Sequence, residues 1–320
     1  MKKFSIIVPV YYNEANLPDT IPQLLELGDR LTGYELELVF VDDGSGDRSL
    51  QILLDFQKKF PEIIKVLKLT RNFGAMAAVQ AGLSQVRGDC VGIIAADLQD
   101  PPELFVEMAA EWKRGTRVVL AVRQEREDPG LQRFCSNAYY ALLRRFALPG
   151  YPSGGFDFVL IDRQVVQDLL RIQEKNTNVM ALIYWLGYRP VLIPYTRRAR
   201  KKGKSRWTLA KKLKLFVDSF VSFSYFPIRL LSLVGLLVAG AAFLYGLIIL
   251  ASWMIWSVPV RGWVPTMILL TITAGVQMSM LGILGEYLWR TLDETRKRPP
   301  YVIDAVFEAG LSAAEKRSGE

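Results

Sequence analysis

Acidic, amide and basic side chains follow four short hydrophobic runs in the first hundred residues. The runs end in Tyr11-Tyr12-Asn13-Glu14, Asp42-Asp43-Gly44-Ser45, Arg71-Asn72 and Asp97-Leu98-Gln99-Asp100. Each cluster alone is also a common turn or helix start. Four such clusters, each at the end of a strand-like run, instead indicate one polar site to which all four contribute.

Composition restricts the chemistry of that site. The 320 residues include no His, so a Ser-His-Asp nucleophile, an HExxH zinc site and an imidazole switch are excluded. The two cysteines, Cys90 and Cys135, lack metal-site spacing and fit a reducing compartment. Any metal must therefore be held by oxygen ligands, which favours Mg²⁺, Mn²⁺ or Ca²⁺ over zinc.

Strand and helix patterns alternate before residue 195, which predicts an α/β domain with a mostly parallel, doubly wound sheet. Ligands bind such sheets beyond the carboxyl ends of the strands. Gly44-Ser45-Gly46 lacks the third glycine of a dinucleotide-binding loop and follows the second strand instead of the first. Dinucleotide binding is therefore not indicated. The predicted strands are Phe4–Val10, Leu36–Val41, Ile63–Leu69, Cys90–Ala95 and Val118–Val122, with helices at about 15–30, 47–59, 74–86 and 102–113.

Two long uncharged runs lie near the C-terminus. Leu230 to Val260 and Gly262 to Gly285 are separated by Arg261 alone. About 20 apolar residues cross a bilayer as a helix, so a hairpin of two transmembrane helices is predicted at about 230–256 and 264–288. The alternative is a pair of helices buried in a soluble core. This interpretation divides the chain into a catalytic domain at 1–200, interfacial helices at 201–228, the hairpin at 229–290 and a tail at 291–320, poorly ordered after Tyr301.

Basic residues surround the predicted hairpin on one side. Ten lie between Arg197 and Lys214, and residues 196–320 hold 18 basic against 8 acidic side chains. The positive-inside rule then places both termini in the cytoplasm. We expect the hairpin to lie in the inner (plasma) membrane. Beside a span, a basic run is better explained by anionic headgroups than by nucleic acid. Apolar residues at helical spacing from Leu209 to Phe220 predict an interfacial helix, with packing on the soluble domain as the alternative.

The motifs SIIVPVYYNE, VDDGS, RNFG and ADLQDPPE, with two C-terminal spans, resemble glycosyltransferase family 2 and its GT-A fold. Within it the chain is similar to the polyprenyl-phosphate glycosyltransferases, which include bactoprenol glucosyltransferases and dolichyl-phosphate mannose synthases. The resemblance extends to about residue 300. It implies inverting transfer of a sugar, glucose from UDP-glucose, to a polyprenyl phosphate on the cytoplasmic leaflet. It also implies a homo-oligomer.

The resemblance further implies roles for individual residues. Asp97 and Gln99 match the divalent-cation motif, in which Ala95 replaces the first acid of many relatives. Asp97 and Asp157 are thus the candidate catalytic acids, with Asp157 facing the sugar to orient a hydroxyl, support the metal or act as a base. The residues that match the donor pocket are Pro9, Tyr11, Glu14, Asp42, Asp43 and Arg71, together with Asp97.

The acceptor in this branch is a lipid phosphate, whose second pKa near 6 leaves it ionised at neutral pH. It needs little help from a base, but it must approach another phosphate group, which requires cations. Arg123 and Arg126 match the Arg-x-x-Arg motif of the family, and a solvated loop is the structural alternative. Further candidates for the acceptor phosphate are Arg200, Lys204 and Arg206.

Alternatives remain at this point. For Asp157 the alternative is a partnered structural acid. For the whole chain one rival is a processive polysaccharide synthase, which two spans and the lack of a Gln-x-x-Arg-Trp motif disfavour. The other is a non-catalytic membrane sensor or scaffold for nucleotide sugars, with Ala95 as a sign of lost activity.

Overall fold

A computed structural model describes residues 1–123, 130–172, 174, 177–198, 209–256 and 262–310. The chain divides into two compact units. One comprises Met1–Ser219 with Pro299–Glu320, and the other comprises Phe220–Arg298. The first unit holds a sheet covered by helices, and the second holds two long apolar helices.

The described residues of the first unit contain eight strands, which are β1 Lys2–Val10, β2 Tyr34–Asp42, β3 Ile64–Leu69, β4 Cys90–Ile93, β5 Val118–Arg123, β6 Phe158–Asp162, β7 Val191–Tyr195 and β8 Ile303–Phe307. They form one mixed, mostly parallel sheet in the order β7-β5-β6-β4-β1-β2-β3-β8. The strand β6 is antiparallel to β4 and β5, and β8 is antiparallel to β3. The predicted α/β fold class is confirmed, and each of the five predicted strands lies within two residues of its expected bounds.

Helices cover the sheet and bury its alternating apolar residues. Phe4 on β1 makes edge-to-face contact with Phe105, at 5.6 Å between ring centroids. Phe105 packs so closely on Gly92 that a Cβ there would lie 2.3 Å from its ring, so this layer requires glycine at position 92. The helices of the first unit are α1 Leu17–Arg30, α2 Ser49–Lys59, α3 Ala75–Gln85, α4 Leu104–Lys113, α5 Gly130–Phe146, α6 Arg163–Arg171, α7 Val179–Trp185 and α8 Leu209–Phe223, which extends into the second unit.

The order of the strands creates a crevice beside β1. The chain passes from β1 through β2 to β3 and then returns to the other side of β1 to form β4. At such a switch point the connections leave in opposite directions, which opens a space beyond the carboxyl ends of the strands. The parallel strands β1, β2 and β4 all end at this edge, so the segments that follow them begin there.

The second unit contains α9 Phe226–Trp256 and α10 Trp263–Thr295. Both are long and apolar enough to cross a membrane, and none of the residues in their most apolar stretches is buried. Tyr287 Oη donates a hydrogen bond to the Ser224 carbonyl oxygen, at 3.4 Å, within this unit. Helices are present over both predicted ranges, 230–256 and 264–288, and the second continues to Thr295. That they span a membrane stays a prediction, and their exposure argues against a pair buried in a soluble core.

The expectation of a poorly ordered chain after Tyr301 is wrong for Ile303–Phe307. These residues form β8, which pairs with β3. The neighbouring Glu308 reaches the buried Lys65 of β3, with 2.6 Å between Oε2 and Nζ, and a second carboxylate, that of Glu37, lies 3.9 Å from the same Nζ. A five-residue strand whose partner lies more than 230 positions away leaves little local signal, which is why the pattern of the tail did not predict it.

We expect Glu308→Ala to lower the free energy of unfolding by about 2–3 kcal/mol, because the buried Lys65 ammonium loses its nearer carboxylate and is left with the Gln85 carbonyl at 3.0 Å and the more distant Glu37. The matched control is Asp304→Ala, which breaks the half-exposed pair with Lys68 at 2.5 Å. That change should cost less than about 1 kcal/mol. Chemical denaturation of both variants in one detergent measures the difference, and equal losses would contradict the assignment.

Candidate active site

Asp43 fixes the loop that follows β3. The residue is 2% exposed, and its backbone N–H donates to the Val10 carbonyl at 2.9 Å. Its carboxylate accepts from the backbone N–H groups of Phe73 at 2.7 Å and Gly74 at 2.9 Å. Burial raises the pKa of Asp43, although these two hydrogen bonds oppose the shift. Both carboxylate oxygens are thus engaged in holding the segment that carries Arg71.

Asp42 has an acceptor atom that the protein leaves unused. Its side chain is 1% exposed, and Oδ2 accepts a hydrogen bond from the Ser45 N–H at 3.3 Å. The other oxygen, Oδ1, is buried and has no hydrogen-bond partner among the described residues. Burial raises the pKa of Asp42, and bonds from Ser45 oppose the rise. A buried carboxylate oxygen without a donor is costly, which makes Oδ1 a candidate acceptor for a ligand.

The segment after β1 closes over the start of α2. Tyr12 has φ +54°, and its N–H donates to Ser45 Oγ at 3.0 Å. The Arg48 N–H donates to Glu14 Oε2, also at 3.0 Å. The left-handed backbone at Tyr12 turns the two adjacent tyrosines against each other, with ring centroids 4.7 Å apart. Pro9 and Tyr11 are half-buried, and Tyr12 and Glu14 are exposed.

The loop after β4 carries the predicted metal ligands. Asp97 is half-buried, and its Oδ1 accepts from the Gln99 N–H at 3.3 Å. In the part of the chain that the structure describes, no three acidic or cysteine side chains converge as a metal cage. One carboxylate with an amide nevertheless fits Mg²⁺ or Mn²⁺ of the kind that takes its other ligands from substrate phosphates and water.

The segment after β7 is bound to the same loop, which sequence reasoning missed. The Arg198 N–H donates to the Gln99 carbonyl at 2.8 Å, and Gln99 Nε2 donates to the Arg198 carbonyl at 3.4 Å. The Arg198 guanidinium also pairs with Glu103 at 3.3 Å. The basic run therefore begins beside Gln99. The predicted acceptor residues Arg200, Lys204 and Arg206 lie outside the described residues, as does Arg126.

Arg123 lies in a chain of polar contacts, so the solvated-loop interpretation is wrong for it. Its Nη2 donates to Asp157 Oδ2, and its Nε lies 3.4 Å from Tyr195 Oη. Tyr195 in turn donates to Asp100 Oδ1, which Arg197 Nε approaches to 3.4 Å. Burial disfavours the charge of Arg123, but the negative charge of Asp157 and the contact with Tyr195 outweigh it and raise its pKa.

Asp157 itself precedes β6, and its side chain is 57% exposed. The ion pair with Arg123 is the partner that the structural interpretation of Asp157 required, and its exposure leaves room for a ligand on the same carboxylate. Sequence reasoning missed Asp100 and Tyr195 as members of this group. Asp100 could have been found from its position next to Gln99 in the polar cluster after β4. No sequence pattern indicated Tyr195.

We expect Asp42→Asn to stabilise the protein at neutral and alkaline pH by on the order of 1 kcal/mol, because it removes a buried charge with an unpartnered oxygen. The raised pKa of Asp42 means that its destabilising effect appears as pH rises through that pKa. The gain should therefore vanish as the pH falls toward the ordinary aspartate value of about 4. Unfolding curves from pH 4 to 8 measure it. The exposed Asp29→Asn control should show no gain, and an Asp42→Asn protein less stable at every pH would contradict the assignment.

Comparison with known proteins shows the family to which the chain belongs. The model of glycosyl transferase family 2 matches residues 5–170. A Bacillus subtilis protein described as an uncharacterized glycosyltransferase is 36% identical over 94% of this chain and 93% of its own. An Escherichia coli prophage bactoprenol glucosyl transferase homolog is 34% identical over 95% and 99%. The bactoprenol glucosyl transferase of Shigella phage SfX is 34% identical over 94% and 98%.

Among solved structures, the chain is similar to glucosyl-3-phosphoglycerate synthase from Mycobacterium tuberculosis, which was solved in complex with Mn²⁺, UDP and phosphoglyceric acid. The two chains are 17% identical, with a TM-score of 0.47, and the match covers 67% of this chain and 75% of that chain. The family match spans more than half of the chain, and the relatives align along nearly all of it. The chain belongs to glycosyltransferase family 2.

Proposed function

We propose that this glycosyltransferase moves glucose from UDP-glucose to a polyprenyl phosphate at the cytoplasmic leaflet, with inversion at the anomeric carbon. The observation that carries the proposal is that one chain joins a buried, charged site to two apolar helices long enough to span a bilayer. The names of the bactoprenol glucosyl transferases that align along nearly the whole chain support this donor and acceptor.

The donor binds beyond the carboxyl ends of β1, β2 and β4. The unpartnered Oδ1 of Asp42 is suited to accept a hydrogen bond from an N–H or O–H of the nucleoside. Asp43 holds the loop that carries Arg71, a cation for the diphosphate. Asp97 and Gln99 would hold a divalent cation, which would supply positive charge to stabilise the diphosphate as it leaves.

The acceptor phosphate is the nucleophile. One of its oxygens forms the new bond to the anomeric carbon while the bond to the diphosphate breaks, and the nucleoside diphosphate leaves with the electron pair. The phosphate is already ionised at neutral pH, so no proton has to be removed in the step. Arg123 offsets the repulsion between the two anions, and Asp157, exposed beside it, is placed to accept a hydrogen bond from a sugar hydroxyl.

We expect Asp97→Asn to reduce turnover by about 100-fold or more, because it removes the only carboxylate proposed to bind the cation. Membranes are incubated with labelled UDP-glucose and undecaprenyl phosphate, and lipid-soluble label is counted. Asp55→Asn, at an exposed acid on α2, is the matched control. An unchanged melting temperature shows that folding is intact.

Three outcomes of this assay would contradict the proposal. Turnover by Asp97→Asn at the wild-type rate would remove Asp97 from the metal site. Long sugar chains in the product would indicate a processive synthase. Donor binding without transfer by the wild-type protein would indicate a sensor or scaffold.

The proposed orientation has two supports. The strand β8 follows the hairpin in the chain and pairs with β3, which precedes it, so residues before and after the hairpin belong to one folded sheet. A sheet cannot be divided by a bilayer, so both ends of a membrane hairpin must then lie on the same side. The ten basic residues between Arg197 and Lys214 favour the cytoplasm for that side.

Labelling with a membrane-impermeant maleimide tests the orientation in a Cys135→Ser background, since Cys90 is buried. We expect Ser257→Cys, between the predicted transmembrane helices at 230–256 and 264–288, to react in right-side-out vesicles, because the proposed orientation places the connection between them on the outer side. Asp55→Cys, on the exposed face of α2, should react only in inside-out vesicles. The reverse pattern, or labelling of both in one preparation, would contradict the orientation.

A further inference from the structure

The hydroxyl of Tyr195 lies between a buried acid and the guanidinium of Arg123. Tyr195 ends β7 and Arg123 ends β5, and the two residues are register partners in parallel strands. The tyrosine is 5% exposed, and its ring makes an edge-to-face contact with Phe158 at 6.3 Å. Packing therefore fixes the ring, and the ring fixes the position of the hydroxyl.

Chemistry sets the direction of both hydrogen bonds at this hydroxyl. An arginine side chain only donates, and an ionised carboxylate only accepts. The single proton of Tyr195 Oη therefore goes to Asp100 Oδ1, and its lone pair faces Arg123 Nε at 3.4 Å. Arg197 Nε lies 3.4 Å from the same Asp100 oxygen, so this oxygen faces a cation as well as the tyrosine hydroxyl.

Two contacts then define the plane of the Arg123 guanidinium. Nε faces Tyr195, and Nη2 donates to Asp157. If Asp157 were the only partner, the Arg123 guanidinium could rotate about that single hydrogen bond. Contacts at both Nε and Nη2 instead hold the guanidinium plane in one orientation. The two partners differ in access. Asp157 is 57% exposed and can exchange its contact for a ligand, while Tyr195 is buried.

We infer that Tyr195 is a positioning residue for the transfer reaction, because its hydroxyl, held by Asp100, orients Arg123 toward the phosphate of the lipid acceptor. The inference rests on the proposed function, in which Arg123 binds that phosphate. Bidentate contact between arginine and phosphate depends on the orientation of the guanidinium plane, so a rotated Arg123 would lose affinity without losing charge.

The test removes one oxygen atom. Tyr195→Phe keeps the ring and its packing but deletes both hydrogen bonds of the hydroxyl. In the full-length protein we expect the KM for undecaprenyl phosphate to rise about tenfold, the size of one lost charge-assisted contact, while the KM for UDP-glucose stays within about twofold. The matched control is Tyr188→Phe, because Tyr188 Oη also donates to a carboxylate, Asp168 Oδ2 at 2.6 Å. That variant should change neither constant.

A double-mutant cycle separates positioning from general structure. Arg123→Lys removes the planar fork, so adding Tyr195→Phe to it should cost no more than a further factor of about two. Losses that multiply would show that Tyr195 acts independently of Arg123, which overturns the inference. A Tyr195→Phe protein with a lower melting temperature and an equal rise of both KM values would likewise indicate a merely structural role.

Failure of the proposed function is distinguishable from failure of this inference. If the wild-type protein transfers no sugar from any nucleotide sugar that is tested, the proposed function is wrong. The positioning role is then measured by equilibrium binding of undecaprenyl phosphate in detergent micelles. Weaker binding by Tyr195→Phe than by Tyr188→Phe supports it, and equal affinities for wild type and Tyr195→Phe overturn it.

Discussion

The burial of two adjacent carboxylates at the end of β2 is the constraint on which the site depends. Water cannot solvate Asp42 and Asp43 there, so each must find donors or remain costly. Asp43 finds two in the backbone of the loop after β3, which joins the ends of two strands. Asp42 finds one, for Oδ2, and its Oδ1 remains available. Asp43 thus holds the loop of the candidate site in place, and Asp42 Oδ1 is a candidate acceptor for a ligand.

The proposed function adds a second constraint, which is the repulsion between the phosphate groups of donor and acceptor. An enzyme that joins an anionic acceptor to an anionic donor must supply cations, yet a buried cation without partners is itself unstable. The contacts around Arg123 satisfy both needs, because Asp157 and Tyr195 stabilise the guanidinium within reach of solvent. The loop that carries Asp97 and Gln99 is hydrogen-bonded to Arg198, at the start of the basic run. These bonds fix the position of the acidic loop relative to the first basic residues.

The C-terminal strand β8 brings the chain back into the sheet after the two apolar helices. Because β8 completes the sheet at β3, and Glu308 reaches the buried Lys65 beside it, the residues after the hairpin contribute to the folded unit that contains the site. The two apolar helices are therefore an insertion within a single sheet rather than a terminal anchor. Such an arrangement ties the integrity of the catalytic fold to residues on both sides of the hairpin.

The sequence by itself determined the features that rest on local periodicity and composition. The first five strands, the first four helices and the two apolar helices follow from short-range patterns, and the four polar clusters follow from the rule that parallel strands end at one edge. Contacts between distant positions left no such signal. The strand β8, the Tyr195 hydroxyl between Asp100 and Arg123, and the attachment of Arg198 to Gln99 join residues from 72 to more than 230 positions apart. Only the tertiary structure decided these, because a hydrogen bond is specified by where two chain segments meet, and no pattern within either segment encodes that meeting.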